Sequence, residues 1–114
     1  FASVVGGVKV AEPAADLALL TAIAGAQLKR ALPPRTIILG EVGLGGEVRP
    51  VAQLDNRLIE ASRLGYSTAI VPVLSKKHKQ SPPKGCSIEL VPVQSINQAI
   101  DHLSAIGPQQ TKNV

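Results

Sequence analysis

Four lysines lie close together between residues 76 and 84, in a segment that contains no acidic residue. Lys76, Lys77, Lys79 and Lys84 make up a third of the 12 Lys and Arg side chains. Ammonium groups at this density attract phosphate oxygens, and His78 adds charge below neutral pH. With one Tyr and one Phe in the chain, base stacking is not expected, so the pattern predicts sequence-independent contacts to DNA phosphates. A solvated loop explains the same pattern.

Groups that could perform acid–base or nucleophilic chemistry are few. Glu41 and Glu47 flank a glycine-rich turn and could approach one another as an acid–base pair, but each is more simply a solvated residue. A Ser-His-Asp triad can be composed only from near neighbours, namely Ser95 or Ser104 with His102 and Asp101. Neighbouring helix positions point in different directions, and Ser95 suits a helix cap better. We therefore predict no catalytic residue.

Metal and nucleotide sites are also missing from the sequence pattern. Cys86, His78 and His102 do not supply a structural zinc set with the usual spacing. The glycines of residues 40–46 do not match GxGxxG, and GxxxxGK[ST] does not occur. We therefore predict no metal and no cofactor in this domain, and we interpret Cys86 as a buried bystander thiol of a protein from a reducing compartment.

Composition predicts one small α/β domain. A chain of 114 residues can bury roughly two thirds of its unfolded surface around one core. Its residues are 45% hydrophobic but only 2% aromatic, so the core must consist of Val, Ile, Leu and Ala. No apolar run is long enough to span a membrane, so we expect a soluble domain without membrane contacts. A chain that begins at Phe1 and contains no Met is expected to be a fragment or a processed product.

A β-hairpin over residues 40–50 organises the predicted elements. The apolar residues 36–39 and Val42 suit a buried strand, and Gly43, Gly45 and Gly46 permit the positive φ of a tight reversal. Residues 47–49 then alternate like a half-exposed return strand, and Pro50 should end the pairing.

The remaining elements follow from periodicity and end signals. Residues 1–10 predict one strand with a bulge at Gly6-Gly7. A helix is predicted from residues 12–16 to about residue 30, and a second from Leu54 to Gly65. Two strands are predicted at 68–71 and 87–93, and a capping box at 95–98 opens a last helix that Gly107-Pro108 closes. The predicted helix faces are Leu17, Leu20, Ile23, Ala24 and Leu28; Leu54, Leu58, Ala61 and Leu64; and Ile96, Ala99, Ile100 and Leu103.

Four motifs together resemble a known family. They are VVGGVKV at residues 4–10, EPAADLA at 12–18, GEVGL with GEVRPV at 40–51, and IVP at 70–72. In these motifs the chain resembles the C-terminal, Lon-protease-like domain of the RadA/Sms DNA repair proteins, over nearly its whole length. The resemblance implies an α/β (α+β) fold like the Lon proteolytic domain and domain 2 of ribosomal protein S5. We expect residues 1–107 to form this domain and residues 108–114, after the Gly107-Pro108 end signal, to be a disordered tail.

The resemblance also implies that peptidase chemistry is absent. Active Lon carries its nucleophilic serine and its partner lysine in two short motifs, and the matching positions here hold Ala14 and Asp55. An alanine methyl cannot attack a carbonyl, and a carboxylate cannot act as the neutral amine base. The domain is therefore expected not to be an enzyme.

What the family does defines the expected function. The resemblance implies an accessory domain of an ATP-dependent repair and recombination protein that serves ring assembly and DNA binding during branch migration. Implied partners are single-stranded or branched DNA and further copies in a hexameric ring, while ATP and zinc are expected in upstream domains. Two alternatives remain: a degenerate Lon-like peptidase domain acting as a protein-interaction module, and the Lon-like domain of a ComM or magnesium-chelatase-like protein. The expected compartment is the bacterial cytoplasm, or an organelle if the source is a plant.

Overall fold

A three-stranded parallel sheet lies at the centre of the fold. The computed structural model describes residues 3–5, 8–10, 13–74 and 80–105. The strands are β1 (Ser3–Val5), β2 (Val8–Val10), β3 (Arg30–Ala31), β4 (Thr36–Ile38), β5 (Glu41–Val42), β6 (Val48–Arg49), β7 (Thr68–Pro72), β8 (Glu89–Val93) and β9 (Ser104–Ala105). The helices are a 3-10 turn (Pro13–Ala15), α1 (Asp16–Leu28), α2 (Leu54–Arg63) and α3 (Ile96–Asp101). The central sheet has the order β4-β7-β8, so the predicted α/β class is confirmed.

Both faces of the central strand β7 are buried, as expected for a parallel sheet covered on two sides. Ala69 and Val71 belong to one core cluster together with Leu54, Leu58 and Ala61 of α2. Ile70, between them, belongs to a second cluster with α1 and α3. Because neighbouring residues of a strand point to opposite faces, the domain has three layers: α2, the sheet, and the α1–α3 pair. None of the three α-helices in the described ranges is long and apolar enough to span a bilayer.

The predicted central hairpin is confirmed, with one correction to its turn. Strands β5 and β6 pair antiparallel, with Val42 opposite Val48, and the pairing ends before Pro50. Of the turn glycines only Gly46 has a positive φ, of 83°. At residue 43 a glycine is required for a steric reason and not for its φ, because a Cβ there would lie 1.8 Å from a carboxylate oxygen of Glu47. Glycine spacing predicts a turn but does not distinguish these two reasons.

Helix α2 ends as predicted at Gly65, whose φ is +97°. The N–H of Tyr66 donates to the carbonyl of Ala61, and the N–H of Gly65 donates to that of Ser62, which is the Schellman arrangement. Leu58 and Ala61 are buried, but Leu64 is 69% exposed. The inclusion of Leu64 in the buried face was therefore wrong, because Leu64 is the C-cap residue and lies where the chain already turns away.

The predicted buried face of α1 was wrong in part: Leu17 is buried and Leu20 and Ala24 are half-buried. The buried positions are Leu17, Thr21 and Gly25, whereas Ile23 is 38% and Leu28 is 50% exposed. Thr21 satisfies its hydroxyl by donating to the carbonyl of Leu17. A Cβ on Gly25 would lie 2.6 Å from the Arg30 carbonyl oxygen, so the small residue lets β3 pack closely. The helix is apolar on nearly every side, so periodicity alone selected the wrong face.

Two end regions also differ from prediction. The capping serine is confirmed, since the Ser95 hydroxyl accepts from the Gln98 N–H at 3.2 Å, but α3 ends at Asp101 rather than near Gly107. The helix does not continue because residues Ser104–Ala105 form a strand that pairs antiparallel with Arg30–Ala31. This pairing joins parts of the chain that are far apart in sequence. The N-terminal strand was also wrong: Ser3–Val5 and Val8–Val10 are two strands paired antiparallel. The Gly6-Gly7 pair lies outside the described residues.

Candidate functional site

Gln80, which follows the first three lysines of the lysine-rich segment, fixes the chain to the end of β7. The Gln80 side chain accepts from the Leu74 N–H at 3.1 Å and donates to the Pro72 carbonyl at 2.9 Å. These two bonds hold the chain after residue 79 against the end of β7. Lys76, Lys77 and Lys79 lie outside the described residues. The sequence pattern did not single out Gln80, because a glutamine in a polar segment carries no distinctive signal.

Lys84 is the one member of the predicted DNA-binding set that lies in the described ranges. It is exposed, on a turn in which the Cys86 N–H donates to the Pro83 carbonyl at 3.0 Å. The next residues return to the core beside α2, because the Cys86 sulfur lies 3.6 Å from the Leu58 carbonyl oxygen and Ile88 is buried. Cys86 is half-buried rather than buried, a small correction to its predicted position. The last residues before β8 therefore pass beside α2, and Lys84 faces solvent.

The acidic residues of the hairpin do not form an acid–base pair. Glu41 lies opposite Arg49 in the strand register, and a Glu47 carboxylate oxygen lies 3.1 Å from an Arg49 guanidinium nitrogen. The pKa of the Glu47 carboxyl is lowered, chiefly because the backbone N–H of Glu47 donates a hydrogen bond to it. The hydrogen bond and the positive charge of Arg49 lower this pKa further. A general acid near neutral pH needs a raised pKa, so Glu47 is suited to bracing the turn and not to donating a proton.

The residues of the hypothetical triad are not arranged as one. The Ser95 hydroxyl caps α3, and Ser104 is exposed on β9. Asp101 and His102 are consecutive, both exposed, at the end of α3. Among residues 13–74 and 80–105 no three His, Cys, Asp or Glu side chains are grouped so that they could hold a metal ion.

The two positions that correspond to a Lon dyad lie in the 3-10 turn and in the first turn of α2. Ala14, in the 3-10 turn, is buried in the core cluster that contains Leu54, and its carbonyl accepts the Gly40 N–H at 3.1 Å. Asp55 follows Leu54 in the first turn of α2 and is exposed. The two positions therefore hold a buried methyl group and an exposed carboxylate.

These elements match a described family of domains. Residues 5–105 match the Lon protease (S16) C-terminal proteolytic domain, and the chain belongs to this family. Within it, the chain is similar to proteins named DNA repair protein RadA. It is 45% identical over 100 residues to the one from Synechocystis, which is 88% of this chain and 19% of that protein.

Other RadA proteins match over similar ranges. Identity is 45% over 103 residues with that of Pseudomonas aeruginosa, covering 90% of this chain and 22% of the relative. It is 47% over 88 residues with that of Escherichia coli, covering 77% and 19%. The resemblance to the Lon-like C-terminal domain of RadA is therefore confirmed. The chain spans about a fifth of the length of these relatives.

Proposed function

We propose that the chain is a non-catalytic accessory domain of an ATP-dependent DNA repair and recombination protein. It would serve ring assembly and DNA binding during branch migration, in a bacterial cytoplasm. The observation that carries the proposal is the similarity to RadA proteins across most of the chain. The presence of Ala14 and Asp55 at the dyad positions favours a role without peptide hydrolysis. ATP and zinc would bind in other parts of the longer protein.

The DNA-binding part of the proposal is supported by charge. The chain has a formal net charge of +4, and Lys84 is exposed on a turn that the core holds in place. Lys76, Lys77 and Lys79 precede it by a few residues in sequence. Contacts made by ammonium groups to phosphates would position DNA without reading its sequence.

Deleting this domain is expected to disrupt the ring. Full-length protein and a version that lacks these 114 residues would be compared by analytical ultracentrifugation, with nucleotide present in both. The deletion should yield smaller species, because a closed ring needs two different patches on every subunit and this domain would supply them. Unchanged ring size after deletion would refute the scaffold role. Circular dichroism of the shortened protein controls for misfolding.

The domain is expected not to cleave peptide bonds. Casein incubated with the full-length protein, with or without ATP, should remain intact, because Ala14 offers no nucleophile and Asp55 no amine base. Gel electrophoresis measures cleavage, and an active Lon protease under identical conditions is the positive control. Turnover that a serine-directed inhibitor abolishes would contradict this assignment.

A further inference from the structure

The tip of the β5–β6 hairpin presents one large apolar side chain to solvent. Leu44 is fully exposed, and its neighbours in the turn are Gly43, Gly45 and Gly46. Glycines have no side chain to shield Leu44, so it projects alone. A fully exposed leucine held between glycines is suited to insertion into an apolar recess on another surface.

The tip is held rigidly, which lowers the entropy lost on binding. Within the turn, the Gly43 N–H donates to the Glu47 carbonyl at 2.9 Å, and the Gly46 N–H donates to the Gly43 carbonyl at 3.0 Å. The far side of the hairpin is joined to the start of α3, since the Ile96 N–H donates to the Gly46 carbonyl at 2.9 Å. Glu47 and Arg49 add an ion pair beneath the turn. The tip is therefore a preformed protrusion.

The same chain carries an apolar groove on the outer face of α1. The groove has a volume of about 480 Å³ and lies between α1, the segment that follows it, and Leu103. Its walls are mainly small apolar side chains: Ala18, Ala22, Ala26, Ala31 and Leu32. Ala22 and Ala26 are exposed. Small residues on a helix leave space for a larger side chain from outside, so the groove is shaped to receive one.

Charges near the two surfaces are complementary. The hairpin strands and turn contain Glu41 and Glu47 against the single cation Arg49, which leaves a net charge of −1 over residues 41–49. The end of α1 carries Lys29 and Arg30, both exposed, and Arg30 lines the groove. Attraction between them favours one orientation of approach.

We propose that Leu44 of one copy inserts into the α1 groove of the next copy, with the hairpin carboxylates near Lys29 and Arg30. Protrusion and groove are different patches of the same chain, so the contact is heterologous and can repeat around a closed ring. The inference rests on the proposed ring assembly and identifies the two patches that form it.

Cysteine cross-linking in the full-length protein tests the contact directly. The double variant Leu44→Cys/Ala26→Cys, treated with a short bismaleimide, should give a ladder of covalent species beyond the dimer. Either single variant should give only the background of the unmodified protein, because each contact needs one cysteine from each surface. A double variant that matches this background would overturn the proposal, even if other domains hold the ring together. Maleimide labelling of unassembled Ala26→Cys should be fast; protection there would mean that another part of the same protein fills the groove, and would overturn the proposal.

Mixing two blocked variants gives a second test. Leu44→Asp removes the protrusion and Ala26→Phe fills the groove, and each should weaken self-association of this domain at least about tenfold. Mixed together they should form a 1:1 pair, because one partner retains its groove and the other its leucine. Leu64→Asp, at another exposed leucine, is the matched control and should associate normally.

The deletion experiment separates this contact from the assembly role as a whole. If deletion of the whole domain leaves the rings intact, the assembly role itself is refuted. A third outcome is that deletion abolishes the rings, while the double-cysteine variant does not cross-link and the two blocking variants associate normally. That outcome would refute only this contact.

Discussion

Glutamine at Lys76, Lys77, Lys79 and Lys84 is expected to weaken binding of the full-length protein to duplex DNA by up to about a thousandfold at about 0.15 M salt. The physical reason is counterion release: each lost phosphate contact flattens the dependence of log affinity on log salt by up to roughly 0.9. Fluorescence anisotropy of labelled duplex over a series of salt concentrations measures both quantities. The largest effect requires all four lysines to contact phosphate.

Arginine at the same four positions is the matched control, because it preserves charge while changing the side chain. We expect affinity and salt slope close to those of the original protein, since phosphate contacts of this kind need charge and not one particular cation. Sedimentation of all variants shows whether assembly is unchanged. An unaltered affinity and salt slope in the glutamine variant would reduce the segment to a connector between β7 and β8.

Leu58→Ala is expected to destabilise the domain by about 2–5 kcal/mol. Leu58 is only 1% exposed and lies in the core cluster between α2 and the sheet, so truncation leaves a cavity lined by apolar side chains. For a domain of this size the loss corresponds to a melting temperature lower by about 10–20 °C. Urea and thermal unfolding of the 114-residue chain, followed by far-UV circular dichroism, measure it.

Ile59→Ala, one position further along the same helix, is the matched control. Ile59 is 40% exposed, so the same kind of truncation should change stability by less than about 1 kcal/mol. Equal losses at the two positions would mean that α2 does not pack on the sheet through Leu58, contrary to the fold described above.

Local signals in the sequence predicted the elements whose structure is determined locally. The turn glycines with flanking apolar residues predicted the hairpin, Gly65 predicted the end of α2, and Ser95 predicted the start of α3. In each case the responsible hydrogen bonds join residues close together in sequence. Propensity and capping act over this range, so one sequence was sufficient.

Features that depend on distant contacts were not predicted. The buried side of α1 is chosen by β3 and by Gly40, whose Cβ position lies 2.9 Å from a Leu17 methyl. Strand β9 exists because Arg30 and Ala31 are available to pair with it. Nothing in the local sequence distinguishes an alanine face that packs internally from one that lines a groove. Charge density in the sequence suggested the candidate lysines, but it did not predict the hydrogen bonds of Gln80 next to them.

Those hydrogen bonds have a consequence for how this domain can change over evolution. Gln80 fastens the chain to both Leu74 and Pro72, so the two ends that flank residues 75–79 are fixed to each other beside the end of β7. The entropic cost of joining two fixed ends by a chain segment rises by only about 0.6 kcal/mol for each doubling of the segment's length. Residues can therefore be inserted or removed inside it without shifting the register of the parallel sheet. The length and charge of the sequence between Leu74 and Gln80 can therefore change without disturbing the fold on either side of it.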